Sequence, residues 1–232
     1  MRQQNLKFLL LFLLLSVVLY VPSVSATLVE VENYSFENYS GALDTATHKY
    51  TTDGFDSWSY TGSGNWGVWK PSSTYYYTTP VPDGTYIGFL SSGSIFQDTG
   101  WLVEAGNEFT LMVDIGNRAD ISFGSYTVEL LAGSNVLASS GSVNPGEGLF
   151  STLTLNYIAL ADDTNIGNTL GIKLSSFDGT QLNFDNIRLT NDPYEIEGPP
   201  AAAPVPEPGT MLLMGLGLVG IASIKRSKRI KR

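Results

Sequence analysis

Seven aromatic side chains fall within twenty residues: Trp58, Tyr60, Trp66, Trp69, Tyr75, Tyr76 and Tyr77, set among Gly, Ser, Thr and Asn. Sugars present apolar C–H faces that stack on rings and hydroxyls that bond to polar neighbours. Tyr and Trp suit such half-wet sites. Asp53, Asp56 and Asn65 are near enough in sequence to supply the polar bonds. A binding patch on Trp58, Trp66, Trp69, Tyr75, Tyr76 and Tyr77 is one expectation. The other is that Trp66 and Trp69 lie in the core and the tyrosines cover a sheet edge.

Other chemistries are narrower. The chain has no Cys, and His48 is its only histidine, in the polar stretch Thr45 to Thr52. Disulfides, thiolate chemistry, His/Cys zinc sites and Ser-His-Asp triads are therefore excluded or very improbable. A glycosidase needs two carboxyls at a set separation. Glu104, Glu108, Asp114 and Glu129 are available, but their spacing singles out no pair, so no catalytic residue is assigned. Arg118 and Asp120 are expected to form an exposed ion pair.

Charge divides along the chain. The formal net charge is −9, yet residues 27–204 carry five basic residues (Lys49, Lys70, Arg118, Lys173, Arg188) against twenty-one acidic ones, a net of −16. Nucleic acid is excluded as a partner, because phosphate binding needs a basic surface. An acidic domain suits divalent cations, neutral sugars or plain solubility.

The elements that must position these residues are strands. β-branched or alternating runs recur between Gly, Asn, Asp and Ser breaks: Leu28–Phe36, Trp66–Trp69, Tyr86–Leu90, Ser94–Asp98, Glu108–Ile115, Ser125–Leu131, Asn135–Ser140, Phe150–Ile158, Thr169–Leu174 and Leu182–Leu189. Gly133-Ser134 marks a hairpin and Pro82-Asp83-Gly84 a turn. So many short strands in one domain predict an all-β, two-sheet sandwich of jelly-roll type. Residues 191–204, rich in Pro, Ala and acids, read as a linker.

The two outermost runs share a detail. Val29 and Val31 fall on one parity and Tyr34 and Phe36 on the other; Leu182 and Phe184 are likewise out of phase with Ile187 and Leu189. A strict strand would turn its apolar face to water, so a bulge is expected at Glu32-Asn33 and at Asp185-Asn186. Terminal strands commonly lie side by side in sandwiches. Bulges free carbonyl oxygens, and nearby carboxylates can complete an oxygen cage for calcium. A structural Ca²⁺ on Glu37 and Asp185, with oxygens near Asn33, is one expectation; two ordinary bulges with solvated acids is the other.

Both termini read as addresses. Arg2 and Lys7, an apolar run from Leu6 to Val21 and the small residues Val24-Ser25-Ala26 make residues 1–26 a secretory signal peptide. At the other end come Pro206, Glu207 and Pro208, an apolar helix at 210–224 and a basic end at 225–232. Residues 205–232 resemble the PEP-CTERM sorting signal. That resemblance implies export through the inner membrane and a transient membrane anchor through the apolar helix. It also implies processing by an exosortase, and release to the cell surface or extracellular matrix of a polysaccharide-producing bacterium.

Residues 27–190 carry a second resemblance. Val31-Glu32-Asn33-Tyr34-Ser35-Phe36-Glu37 and Phe184-Asp185-Asn186-Ile187-Arg188-Leu189 are similar to the bookends of galactose-binding-like jelly rolls, many of them carbohydrate-binding modules. That family places a structural calcium at the acids of these two motifs. Pro82 to Gly88, Ile95 to Asp98, and Phe109 to Arg118 followed by Tyr126 to Gly133 look closer to the branch that includes the calcium-dependent Stig cyclases. The expected function is a non-catalytic, calcium-stabilised carbohydrate-binding or structural sandwich on extracellular polysaccharide. The alternative is a calcium-dependent cyclase-like or lyase-like enzyme.

Overall fold

The computed structural model describes residues 26–41, 43, 51, 54–71 and 75–194. The signal segment, His48, Asp53, the Pro206-Glu207-Pro208 motif and the apolar helix expected at 210–224 lie outside the described residues. Among the described residues the chain forms eleven strands and no helix. They are β1 (Thr27–Val29), β2 (Ser59–Thr61), β3 (Trp66–Trp69), β4 (Ile87–Leu90), β5 (Gly93–Leu102), β6 (Asn107–Asn117), β7 (Tyr126–Ala132), β8 (Asn135–Ser140), β9 (Leu149–Ala159), β10 (Thr169–Ser176) and β11 (Leu182–Pro193).

All pairings are antiparallel and build the two sheets of a jelly-roll sandwich. Sheet A runs β3-β4-β11-β6-β9, with β1 also against β11; sheet B runs β2-β5-β10-β7-β8. Strand β6 shows why. Phe109, Leu111, Val113 and Ile115 are fully buried between the sheets, while Thr110 and Met112 between them face outward. The period of two turns alternate side chains to opposite faces. Phe184 and Leu189 of β11 and Val128, Leu130, Ile172 and Leu174 of sheet B complete the same core. All of it lies between Val29 and Leu189, so the sandwich is a folding unit in its own right.

The terminal strands pair, Thr27 with Asn191 and Val29 with Leu189. In β11 the register slips between Asp185 and Arg188, where the sequence requires it, and Asn186 takes φ 50°. The first run differs. It is not one bulged strand from Leu28 to Phe36: β1 stops at Val29 and the chain turns through 32–36. Asn33 (φ 50°) and Phe36 (φ 60°) both enter the left-handed region. Asn33 is suited to this, because its Oδ1 accepts from Asn38 N at 3.0 Å while its Nδ2 donates to the carbonyls of Asn38 and Asp56. Phe36 is held there by packing: fully buried, its ring sits 4.8 Å from Phe55 and 5.0 Å from Phe184. The far boundary moves too. Asn191, Asp192 and Pro193 are strand rather than linker, and Tyr194 N still donates to Gly106 O.

Candidate functional site

The face of sheet A that points away from the core has two different ends. At one end Trp69, Ile87 and Phe89 project outward, and the segment around Tyr76 and Tyr77 folds over them into a second, smaller apolar cluster. Tyr76 meets Trp69 edge-on at 4.9 Å, and Tyr77 stacks on Phe150 at 4.5 Å. The Arg118 guanidinium lies 4.7 Å from the Trp69 ring and 5.0 Å from Tyr76, and holds Asp120 through two bonds. Arg118–Asp120 is at the surface as the sequence suggests, Asp120 being exposed as a residue, while the packing of Arg118 on the rings leaves the two side chains only 15% and 18% accessible. Burial pushes the Tyr77 hydroxyl far up; it donates to Asn183 Oδ1 at 3.0 Å. Trp58 packs in the main core on Phe36 and Phe55, and Trp66 stacks on Tyr60. Of the six aromatic candidates only Tyr75 is well exposed, at 66%.

At the other end the face is open. The register aligns three rows across the strands: Leu28–Thr190–Thr110–Asn156, then Arg188–Met112–Thr154, then Asp185–Asp114–Thr152. Thr152, Thr154 and Asn156 are exposed, and Thr110, Met112, Arg188 and Thr190 are half-buried. Arg188 does not float. Its Nη2 donates to Asp114, which also accepts from Asn186 Nδ2 at 2.8 Å and Thr152 Oγ1 at 2.5 Å. Asp114 is nearly buried and fixes the three side chains around it.

Beside this face lies a groove of about 890 Å³, between residues 28–34 on one wall and Asn186, Ile187 and Arg188 on the other. Asn38 and Ser57 complete its lining. The described residues include four non-glycine positions with positive φ: Asn33, Phe36, Ser57 and Asn186. Three of them line the groove and the fourth lies two residues from Tyr34. Such conformations cost of order 1–3 kcal/mol each and gather where a surface must hold one shape.

The acids expected to hold calcium, Glu37 and Asp185, each lie one residue from a lining residue of the groove, Asn38 and Asn186, without lining it themselves. Glu37 Oε1 accepts from Thr85 N at 2.6 Å and Tyr86 N at 2.8 Å, and Asp185 accepts from Asp83 N at 2.9 Å and from Asn186 N. The two carboxyls therefore grip one turn, Pro82 to Tyr86, from two sides. Gly84 (φ 64°) permits the grip: a Cβ there would lie 2.2 Å from Glu37 Oε1. Asp185 is fully buried, and burial, reinforced by the charges of Asp83 and Asp114, pushes its carboxyl up to about 8 against the opposing pull of its two N–H donors. Among the described residues no cation pairs with it; Arg188 bonds to Asp114. Carboxylate and carbonyl oxygens suit calcium in kind. Among the described residues, however, no three acid or histidine side chains converge on one point, and Asn33 meets its neighbours with its own amide.

Residues 27–190 match the HpiC1 cyclase family along their whole length. The chain belongs to the HpiC1 cyclase family. Residues 204–227 match the PEP-CTERM protein-sorting motif, which marks this family member as exported and processed by an exosortase. A Stig cyclase from Fischerella sp. TAU, crystallised with (3Z)-3-(1-methyl-2-pyrrolidinylidene)-3H-indole, is 28% identical with a TM-score of 0.66, covering 74% of this chain and 100% of that one. A Fischerella sp. TAU cyclase bound to 4-(1H-indol-3-yl)butan-2-one is 26% identical with a TM-score of 0.64, covering 73% and 99%. The CBM22-1 xylan-binding domain of Paenibacillus barcinonensis Xyn10C is 14% identical with a TM-score of 0.43, covering 75% and 99%. No curated protein matches the chain.

Within this HpiC1 cyclase-family domain, the open rows and the groove are what the sequence does not announce. Thr110, Met112, Thr154, Asn156, Arg188 and Thr190 are ordinary alternate residues of three strands until the register sets them side by side. The one available signal is local: Thr110 and Met112 of β6, Thr152, Thr154 and Asn156 of β9, and Arg188 and Thr190 of β11 alternate with apolar inward neighbours.

Proposed function

We propose that the exported domain is a non-catalytic binding module that takes a neutral, hydroxyl-rich polymer, an extracellular polysaccharide, on the open end of sheet A and in the adjoining groove. The supporting observation is the set of aligned rows. Hydroxyls of Thr110, Thr154 and Thr190 and the carboxamides of Asn156 and Asn186 can bond to sugar hydroxyls, while Met112, Leu28 and Tyr34 offer apolar contact. The net charge of −16 over residues 27–204 favours a neutral ligand over an acidic one. In this proposal the module passes through a membrane-anchored stage before it reaches the surface or matrix. The test is a glycan array with residues 27–194. Retention on neutral glycans is expected, lost in Tyr34→Ala with Asn156→Ala while melting stays unchanged; no retention on any glycan overturns it.

Calcium belongs to the same proposal as a structural ion. What supports it is the grouping of acids: Asp185 is buried near Asp83 and Asp114 with no cation paired to it among the described residues, and Glu37 keeps Oε2 outside its backbone bonds. A higher melting temperature in calcium than in EDTA is expected. Equal values remove the ion.

A second reading, a cyclase-like enzyme, is favoured by the same buried carboxyl. A carboxyl raised by burial is a proton donor in kind, although Asp185 does not itself line the groove, and two relatives were crystallised with indole compounds. Thermal stabilisation by 4-(1H-indol-3-yl)butan-2-one, with none by glycans, selects this reading over the first.

A further inference from the structure

Sheet B has an outer face as well, and the register sets it out in three rows. Ile95, Val128, Leu130, Ile172 and Leu174 are buried in the core, so the residues that alternate with them point away from it. One row is Thr61–Ser94–Ser175–Thr127, all hydroxyls. The second, Ser59–Phe96–Lys173–Glu129–Ser139, crosses all five strands. The third is Asp98–Gly171–Leu131–Val136. The smaller apolar cluster covers part of sheet A; among the described residues no such cluster lies on sheet B.

Phe96 is the only ring in these rows, and it has a seat. A Cβ at Gly171 would lie 2.6 Å from Phe96 Cε2 and 3.1 Å from Cζ, so the ring leans across β10 into the space of the missing side chain. It is half-buried and keeps part of its surface open. Across the sheet from it, Lys173 Nζ meets Glu129 Oε2 at 2.8 Å, with 37% of the lysine side chain accessible. Along the strand, the hydroxyls of Ser94 and Ser175 bond at 2.8 Å. The ion pair cancels its own charge, which leaves a locally neutral platform on a stretch, residues 27–204, that carries −16. A ring between a row of hydroxyls and a fixed donor–acceptor pair fits the apolar C–H face and the hydroxyls of a neutral sugar. An acidic polymer would be repelled by the domain as a whole. We propose that this face is a second sugar site, so that one domain holds neutral polysaccharide on two opposite faces and bridges two polymer chains. The proposal rests on the polysaccharide reading of sheet A, but on a separate set of residues.

Calorimetric titration of residues 27–194 with the neutral hexasaccharide best retained on the glycan array tests this, together with the turbidity of the parent polysaccharide. Two equivalents per domain are expected, with turbidity as polymer chains are bridged. Phe96→Ala should weaken one equivalent at least about tenfold and abolish the turbidity, while Tyr34→Ala with Asn156→Ala removes the other equivalent. A single equivalent that Phe96→Ala leaves intact overturns the second site alone. A single equivalent that only Phe96→Ala removes puts the sugar on sheet B and overturns the sheet A reading, bridging included. No binding of any neutral glycan overturns both. Should Phe96→Ala fail to fold, Lys173→Ala with Glu129→Ala takes its place, since a surface ion pair adds little to stability.

Discussion

The two ends of sheet A's outer face are built on the same strands and differ in what lies over them. At the Trp69 end, aromatic side chains from the sheet and from the 75–81 segment close on one another, and Arg118 caps the stack. At the Thr154 end nothing among the described residues lies over the sheet, and the exposed side chains are hydroxyls, amides and one clamped guanidinium. Ring density therefore marks the end that is sealed. The end able to meet a ligand is aromatic-poor, and its shape is held by backbone strain and by Asp114.

Substitutions at the two ends should separate by size. Trp69→Ala empties the sealed cluster and should cost about 3–5 kcal/mol in denaturant unfolding; a loss below about 1 kcal/mol would mean that the cover is loosely laid and the two ends are alike. Gly84→Ala attacks the turn between them. It forces a left-handed alanine against Glu37 and should cost about 1–3 kcal/mol, with faster hydrogen exchange at Thr85 and Tyr86.

Acidity offers the next contrast. The Asp185 carboxyl is raised above its unfolded value near 3.9, so the folded state holds the extra proton between the two values. Its contribution is full below about pH 4 and is lost as pH rises through about 8. In calcium-free buffer the melting temperature should fall across that window. Asp185→Asn should flatten the fall. The smallest effect belongs to the open end: Thr154→Ala should change stability by no more than about 0.5 kcal/mol, while weakening glycan retention.

Most of the architecture was legible from alternation alone, because a strand with one buried face must show a period of two. The slip at Asp185-Asn186 was legible for the same reason. The first run misled because a turn inverts parity as a bulge does; Val31, Tyr34 and Phe36 fit either path, and only the left-handed backbone of Asn33 and Phe36 decides. β2 has three residues, too few for a pattern. The site was less legible. Trp69, Tyr76 and Tyr77 have the same composition whether they form a platform or a cover. Glu37 and Asp185 both bond to one turn, and their partners are amides some fifty and one hundred residues away in sequence, which no local pattern announces.

β11 lies between β4, β1 and β6, at the middle of sheet A, and it is the last strand of the domain in chain order. A chain exported from its N-terminus delivers that strand last. Sheet B can pair β5, β7, β8 and β10 early, but β4 and β6 wait without their common neighbour until residues 182–193 have crossed. Closure of the sandwich is thus timed to the arrival of the segment that leads into the sorting motif.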